Sequence, residues 1–241
     1  MVQTVLLSKQ GYRSPHFKKG VVPIGVQYTY FLKELASRLL RHYGRPNHFN
    51  KTRLLDELVF ILLSSKTQEV KYLAAYRTLK NKCGSWKRFL DLHPGTLERL
   101  LRPAGLARRK VRTLRMVFLR LRRDFGDVSL AKLSKLTPRA ESYLTSLPGI
   151  GLKTARCILM YARGVDVFPV DTHAFRILRR LGLTDKRRLT AHEQNRLQQM
   201  IPRHLRHDLH VTLISHGREV CTAKNPRCSA CCVEHLCPKL F

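Results

Sequence analysis

The chain has 241 residues, enough to bury a core as one domain or two small ones. Its apolar and charged fractions, 44% and 26%, are those of a globular protein. Lys and Arg together number 46 against 16 Asp and Glu, a formal net charge of +30. That excess points to a polyanionic partner, nucleic acid before an anionic membrane, and no apolar run approaches the ~18 residues of a membrane span.

Residues 1–25 mix Gly, Pro, Ser and basic side chains without periodicity and read as a basic arm, taken to end at 27. The first acidic residue is Glu34, and there is no secretion signal, so a cytoplasmic protein is expected. From Tyr28 the pattern turns helical, with Tyr28, Phe31, Leu32, Leu35 and Leu39 on one face. Gly44 to Asn47 breaks it. Leu54, Leu58, Ile61 and Leu62 continue the helical signal, followed by Val70, Leu73 and Leu79, and then by Val111, Leu114, Phe118, Leu121 and Phe125. Further helices are predicted over 129–136, 138–146, 152–163, 171–182, 190–200 and 203–216. The only β-like run, Val165 to Val170, is interrupted by Pro169. The predicted fold is all-α, with about ten helices, short connections and no internal repeat.

The stretch from Leu147 to Leu183 carries the chemistry. In Leu-Pro-Gly-Ile-Gly, Pro148 fixes φ and Gly149 and Gly151 allow positive φ and close approach of another backbone. A helix starting just beyond would aim its free N–H groups at a phosphate; an ordinary helix–helix turn fits the same five residues. Lys153 falls in the first turn of that helix. At an ordinary lysine pKa only ~1 in 2,500 molecules would be neutral at pH 7. A positive helix end, basic neighbours and partial burial all disfavour the ammonium, and the neutral amine can attack a sugar C1′. The alternative is a solvated lysine adding to the phosphate field. Asp171 stands before Thr172-His173-Ala174-Phe175 as a helix N-cap, a role compatible with stabilising cationic sugar character. His173 reads as a packing or hydrogen-bonding residue.

Five of the seven cysteines cluster at Cys221, Cys228, Cys231, Cys232 and Cys237, unlike a secreted disulfide frame. Only Cys228 and Cys231 are as close as zinc ribbons require, and Pro238 follows the last thiol. The spacing Cys221-x6-Cys228-x2-Cys231-x5-Cys237 suits an iron–sulfur cube better than zinc, with Cys232 surplus. Lys224 and Arg227, between the first two ligands, would then lie on a rigid loop that contacts phosphates.

Taken together, LPGIGLKTA, VDTHAFR and HGREVCTAKNPRCSACCVEHLC closely resemble the endonuclease III family of helix-hairpin-helix glycosylases, from about Tyr28 to Cys237. The resemblance implies a six-helix barrel domain with the hairpin over 53–165. It also implies an iron–sulfur domain formed by 28–52 and 166–241, with DNA bound across the cleft and a damaged base flipped out. It makes Lys153 the Schiff-base nucleophile and Asp171 the essential carboxylate. Gly149 and Gly151 become the phosphate-binding hairpin, and Cys221, Cys228, Cys231 and Cys237 the ligands of a [4Fe–4S] cluster. The implied activity is that of a bifunctional glycosylase and abasic-site lyase. Its substrate would be double-stranded DNA with an oxidised pyrimidine or an abasic site, and it would act as a monomer without a membrane. The family's gap-filling glutamine is replaced, in LLSSKTQE, by Lys66, which leaves the choice of lesion open. Leu106 is either an apolar wedge against the opposite strand or a core leucine. Two other functions fit the same residues: a glycosylase for mismatched or methylated pyrimidines, and a non-catalytic DNA-binding protein with a structural cluster.

Overall fold

A computed structural model describes residues 26–45, 49–133 and 137–241 of the chain. The basic arm of residues 1–25 and the end of the helix expected over 129–136 lie outside those residues. Among the described residues there are ten α-helices and no strand. The described residues divide into two compact units, one from within 1–46 and 170–241 and the other from within 47–169.

The second unit contains α2 (Leu54–Ser64), α3 (Glu69–Cys83), α4 (Pro94–Leu101), α5 (Ala107–Phe125), α6 (Thr137–Ser146) and α7 (Leu152–Arg163). Its core is one apolar cluster in which Leu58, Leu63, Leu79, Leu114, Phe118 and Ile158 are fully buried. The stripe expected on α5 is the buried one, and burying such residues contributes about 2 kcal/mol each. Val70 departs from expectation. It is 80% exposed, so α3 turns Ala75, Tyr76 and Leu79 inward instead. No helix forms over 129–133; Ser129 and Leu130 belong to no regular element, and a turn follows. Two short elements escaped the periodicity, α4 and a 3-10 turn at Trp86–Leu90.

A half-buried carboxylate joins three of these elements. Asp56 on α2 accepts from Lys80 Nζ at 2.6 Å, Trp86 Nε1 at 2.7 Å and Tyr76 Oη at 3.1 Å. Burial opposes its ionisation, but these hydrogen bonds and the Lys80 charge outweigh burial and hold the carboxyl below its ordinary range.

The first unit contains α1 (Val26–Tyr43), α8 (Thr172–Arg180), α9 (Ala191–Met200) and α10 (Arg206–Glu219). The predicted face of α1 is buried throughout, from Tyr28 to Leu39. α1 and α8 both pack on α10. The α8 contact is close: a Cβ added at Gly217 would come within 2.7 Å of His173 Cβ, so only glycine lets the helices approach this far. α8 is shorter than the predicted 171–182 because Leu181 and Gly182 leave the helix as a turn. The helix expected over 203–216 divides into a 3-10 turn, Arg203–Leu205, and α10.

Candidate functional site

The turn between α6 and α7 is a helix-hairpin-helix. Leu147 and Ile150 anchor it by burial, and Ile150 N donates to Leu147 O at 3.2 Å. On the flanking helices, the buried Arg156 of α7 donates to Glu141 of α6 at 3.0 Å. Gly149 has φ +75, and a Cβ there would lie 2.8 Å from Thr113 Cγ2 on α5. A side chain is excluded both by the backbone and by its neighbour. Gly151 corrects the expectation of two left-handed glycines: its φ is −91, and nothing lies within 4 Å of an added Cβ. It is exposed and forms the N-cap of α7 without a side-chain cap. Its openness, not its conformation, is what glycine supplies. The first N–H groups of α7 therefore have room for a ligand at the positive end of the helix.

Lys153 lies in the first turn of α7 and is half-buried. Sequence reading missed a carboxyl within its electrostatic reach. Glu57 on α2 is completely buried and accepts from Asn50 Nδ2 at 2.5 Å and Lys51 N at 2.6 Å. Burial pushes it up to about 7, against the opposing pull of those hydrogen bonds and of the Lys51 and Lys153 charges. A carboxyl that titrates near neutrality can hold or release a proton beside the lysine. The sequence signal was weak, because an acidic residue in a first helical turn is commonplace.

Asp171 is the N-cap of α8, its Oδ1 accepting from Ala174 N at 2.7 Å. The carboxylate is thus fixed by its own helix. His173 has the hydrogen-bonding role read from sequence, its Nδ1 lying 3.2 Å from Arg176 Nη2.

Lys66, in the turn after α2, and Leu106, the N-cap of α5, are both exposed, with φ of 53 and 51. Leu106 is 50% exposed, which removes the core-leucine alternative.

Cys221, Cys228, Cys231 and Cys237 line one pocket together with Arg180, Arg227 and Lys239; Cys232 is not among its walls. Among the described residues no three metal-ligating groups sit at the spacing of a single bound ion. The surroundings also suit an anionic group. Arg180 Nη1 lies 3.1 Å from Cys221 Sγ, and its guanidinium also donates to Thr222 O and Ala223 O. Arg176 holds the same loop through Gly217 O and Cys221 O. Burial pushes the Cys231 thiol up to about 11 and raises Cys237, so these thiols keep their protons until a metal displaces them. The four residues therefore fit a cluster. Arg176 and Arg180 went unread, although two arginines four apart on α8 marked one helical face. Lys224 is exposed, and Arg227 donates to Glu219 O at 2.6 Å.

These features have counterparts in known proteins. A family described as HhH-GPD superfamily base excision DNA repair protein matches residues 59–203. Endonuclease III-like protein 1 of Mus musculus is 31% identical over 191 residues, covering 78% of this chain and 61% of its own length. The chain therefore spans about six tenths of that mammalian relative. Endonuclease III of Escherichia coli K12 is 29% identical over 209 residues, 85% of this chain and 93% of its own length. A solved endonuclease III trapped in a covalent complex with DNA superposes with a TM-score of 0.73 at 26% identity, covering 88% of this chain and 95% of that one. By its helix-hairpin-helix and this family match, the chain belongs to the HhH-GPD superfamily of base excision DNA repair proteins.

Proposed function

We propose that the chain is a bifunctional DNA glycosylase and abasic-site lyase that removes oxidised pyrimidines from double-stranded DNA. The observation that carries this reading is Lys153 in the first turn of a helix whose N-terminus is open, behind a turn that only glycine can make at position 149. The uncapped N–H groups at Gly151 grip a phosphate of the lesion strand and hold the deoxyribose near the amine. Neutral Nζ of Lys153 attacks C1′, and the bond from C1′ to the base breaks with its electron pair leaving on the base. The C1′–O4′ bond then opens with its electron pair leaving on O4′, which takes up a proton, and the nitrogen lone pair completes a Schiff base that acidifies C2′. Loss of the C2′ proton expels the 3′ oxygen and cuts the strand. Asp171, fixed by Ala174 N, offsets the positive charge that develops on the sugar. Glu57 is suited to take up the lysine's proton before attack.

We further propose that Cys221, Cys228, Cys231 and Cys237 hold a [4Fe–4S] cluster. Bound there, it would supply a rigid cross-link of the C-terminal loop, presenting Lys224 and Arg227 to the DNA backbone. The purified protein is expected to absorb near ~400 nm and to contain about four irons per chain; a colourless, zinc-loaded protein contradicts the cluster.

A panel of duplexes, each with one defined lesion, tests the activity in the presence of borohydride. A covalent complex is expected with oxidised-pyrimidine and abasic duplexes, and Lys153→Ala should abolish it while retaining DNA binding. Trapping that survives the substitution removes Lys153 as nucleophile. Neither trapping nor base release with any duplex leaves a DNA-binding protein.

A further inference from the structure

Lys110 is a lysine on the buried stripe of α5, only 5% exposed. Its three N–H groups are all used: Nζ donates to Thr67 Oγ1 at 2.6 Å, Leu63 O at 2.7 Å and Ala104 O at 2.9 Å. All three acceptors are neutral. Leu63 O is among the last carbonyls of α2, which have no helical partner, and an ammonium there also meets the negative end of the helix dipole. Thr67 Oγ1, itself an acceptor from Lys110, donates to Ala104 O at 2.6 Å. One ammonium and one hydroxyl thus tie the loop after α2 to the loop before α5.

Each loop carries a residue in a conformation that side chains resist. Lys66, between Leu63 and Thr67, has φ 53; Leu106, two residues past Ala104, has φ 51 and ψ 31. Such backbone persists only where its surroundings over-determine it, and it concentrates where a protein acts on a ligand. Both strained residues point a long side chain outward: Lys66 is exposed, and Leu106 is a large apolar side chain half in solvent. A buried ammonium without an anionic partner is a poor way to stabilise a core. Two of its hydrogen bonds, however, end on backbone beside those two residues, and the third on the Thr67 side chain next to Lys66.

We propose that Lys110 is a positioning residue that locks the Lys66 and Leu106 loops into a single two-pronged probe, which enters the duplex at a lesion as one body. This rests on the glycosylase reading above and adds the residue that couples the two prongs. Separated, each loop could relax to an ordinary conformation and withdraw its side chain; joined, neither moves without the other. The coupling matters most where a stable base pair must be opened, because unpairing is the step that two rigid prongs assist. It matters little once the nucleotide is already extrahelical.

The test compares wild type and Lys110→Met, a variant of similar shape without the ammonium, under single-turnover conditions. Three substrates are used: an oxidised pyrimidine paired with adenine, the same lesion in a three-nucleotide bubble, and a preformed abasic site. Lys110→Met is expected to slow excision from the paired duplex about tenfold or more and to change the other two by no more than about twofold. Thr67→Val cuts the hydroxyl link alone and should show the same selectivity at about threefold, which covers failure of Lys110→Met to fold. The fluorescence of 2-aminopurine placed beside the lesion reads base opening without chemistry. It should brighten with wild type and much less with either variant at saturating protein. Equal losses on all three substrates, or an unchanged rate on the paired duplex, overturn the proposal. A wild type that opens the pair but never excises or traps retires the glycosylase reading instead, and the 2-aminopurine comparison still decides the role of Lys110.

Discussion

At the scale of single residues, the two hairpin glycines serve different ends. Gly149→Ala forces a side chain into left-handed backbone and against the Thr113 methyl, 2.8 Å away. It should cost about 2 kcal/mol of stability, read as a lowered urea midpoint. Gly151→Ala, at φ −91 in open space, should leave that midpoint unchanged and weaken binding to abasic duplex, since the added methyl occupies the place of the phosphate. The sequence could not distinguish these cases: Leu-Pro-Gly-Ile-Gly announces a tight turn, but which glycine is conformational depends on Thr113, far away in sequence. The placement of Lys153 and Asp171 at helix starts was legible because each follows its own punctuation, Pro148-Gly149 and Pro169. Glu57 and Lys110 were not. Their significance is burial beside particular backbone and charge, which periodicity reports only as a charged residue within an apolar pattern.

At the scale of elements, side-chain hydrogen bonds fix how helices meet. Asp56 ties α2 to α3 and to the turn at Trp86, and its carboxyl is held below the ordinary aspartate value. A group depressed in the folded state stabilises fully above its unfolded value of about 4, and that contribution is lost as pH falls through the lower folded value. Wild type should therefore lose stability faster than Asp56→Asn on acidification below about pH 4, and the difference in their urea midpoints at pH 7 should shrink toward zero. A constant difference across that range contradicts the linkage. Long amphipathic helices such as α1 and α5 were plain from their apolar spacing. α4 was not, because eight residues give barely two turns of pattern and its start rests on His93 and Pro94. Over 129–133 the expected helix gives way to a turn in which Ser129 Oγ accepts from Ala131 N. The close contact of α8 with α10 was equally hidden, since it depends on Gly217 meeting His173.

At the scale of the whole molecule, the +30 charge makes a firm demand on DNA binding. The logarithm of the affinity for duplex should fall linearly with the logarithm of salt concentration, with a slope of about one per phosphate contact. Replacing the exposed Lys224 by Ala should reduce that slope by about one, equally for damaged and undamaged duplex. A flat salt response would contradict a backbone-gripping surface. Among the described residues, no helix is long and apolar enough to cross a membrane. The charge and the cysteine spacing were legible at once. The fit of four thiols around one cavity, braced by Arg176 and Arg180, needed the fold.

The central claim is that Lys153 bonds to the sugar of a damaged nucleotide. The most direct measurement is mass spectrometry of peptides from the borohydride-reduced complex with abasic duplex. The deoxyribose remnant should lie on Nζ of Lys153; finding it on another lysine or on the N-terminal amine would contradict the account.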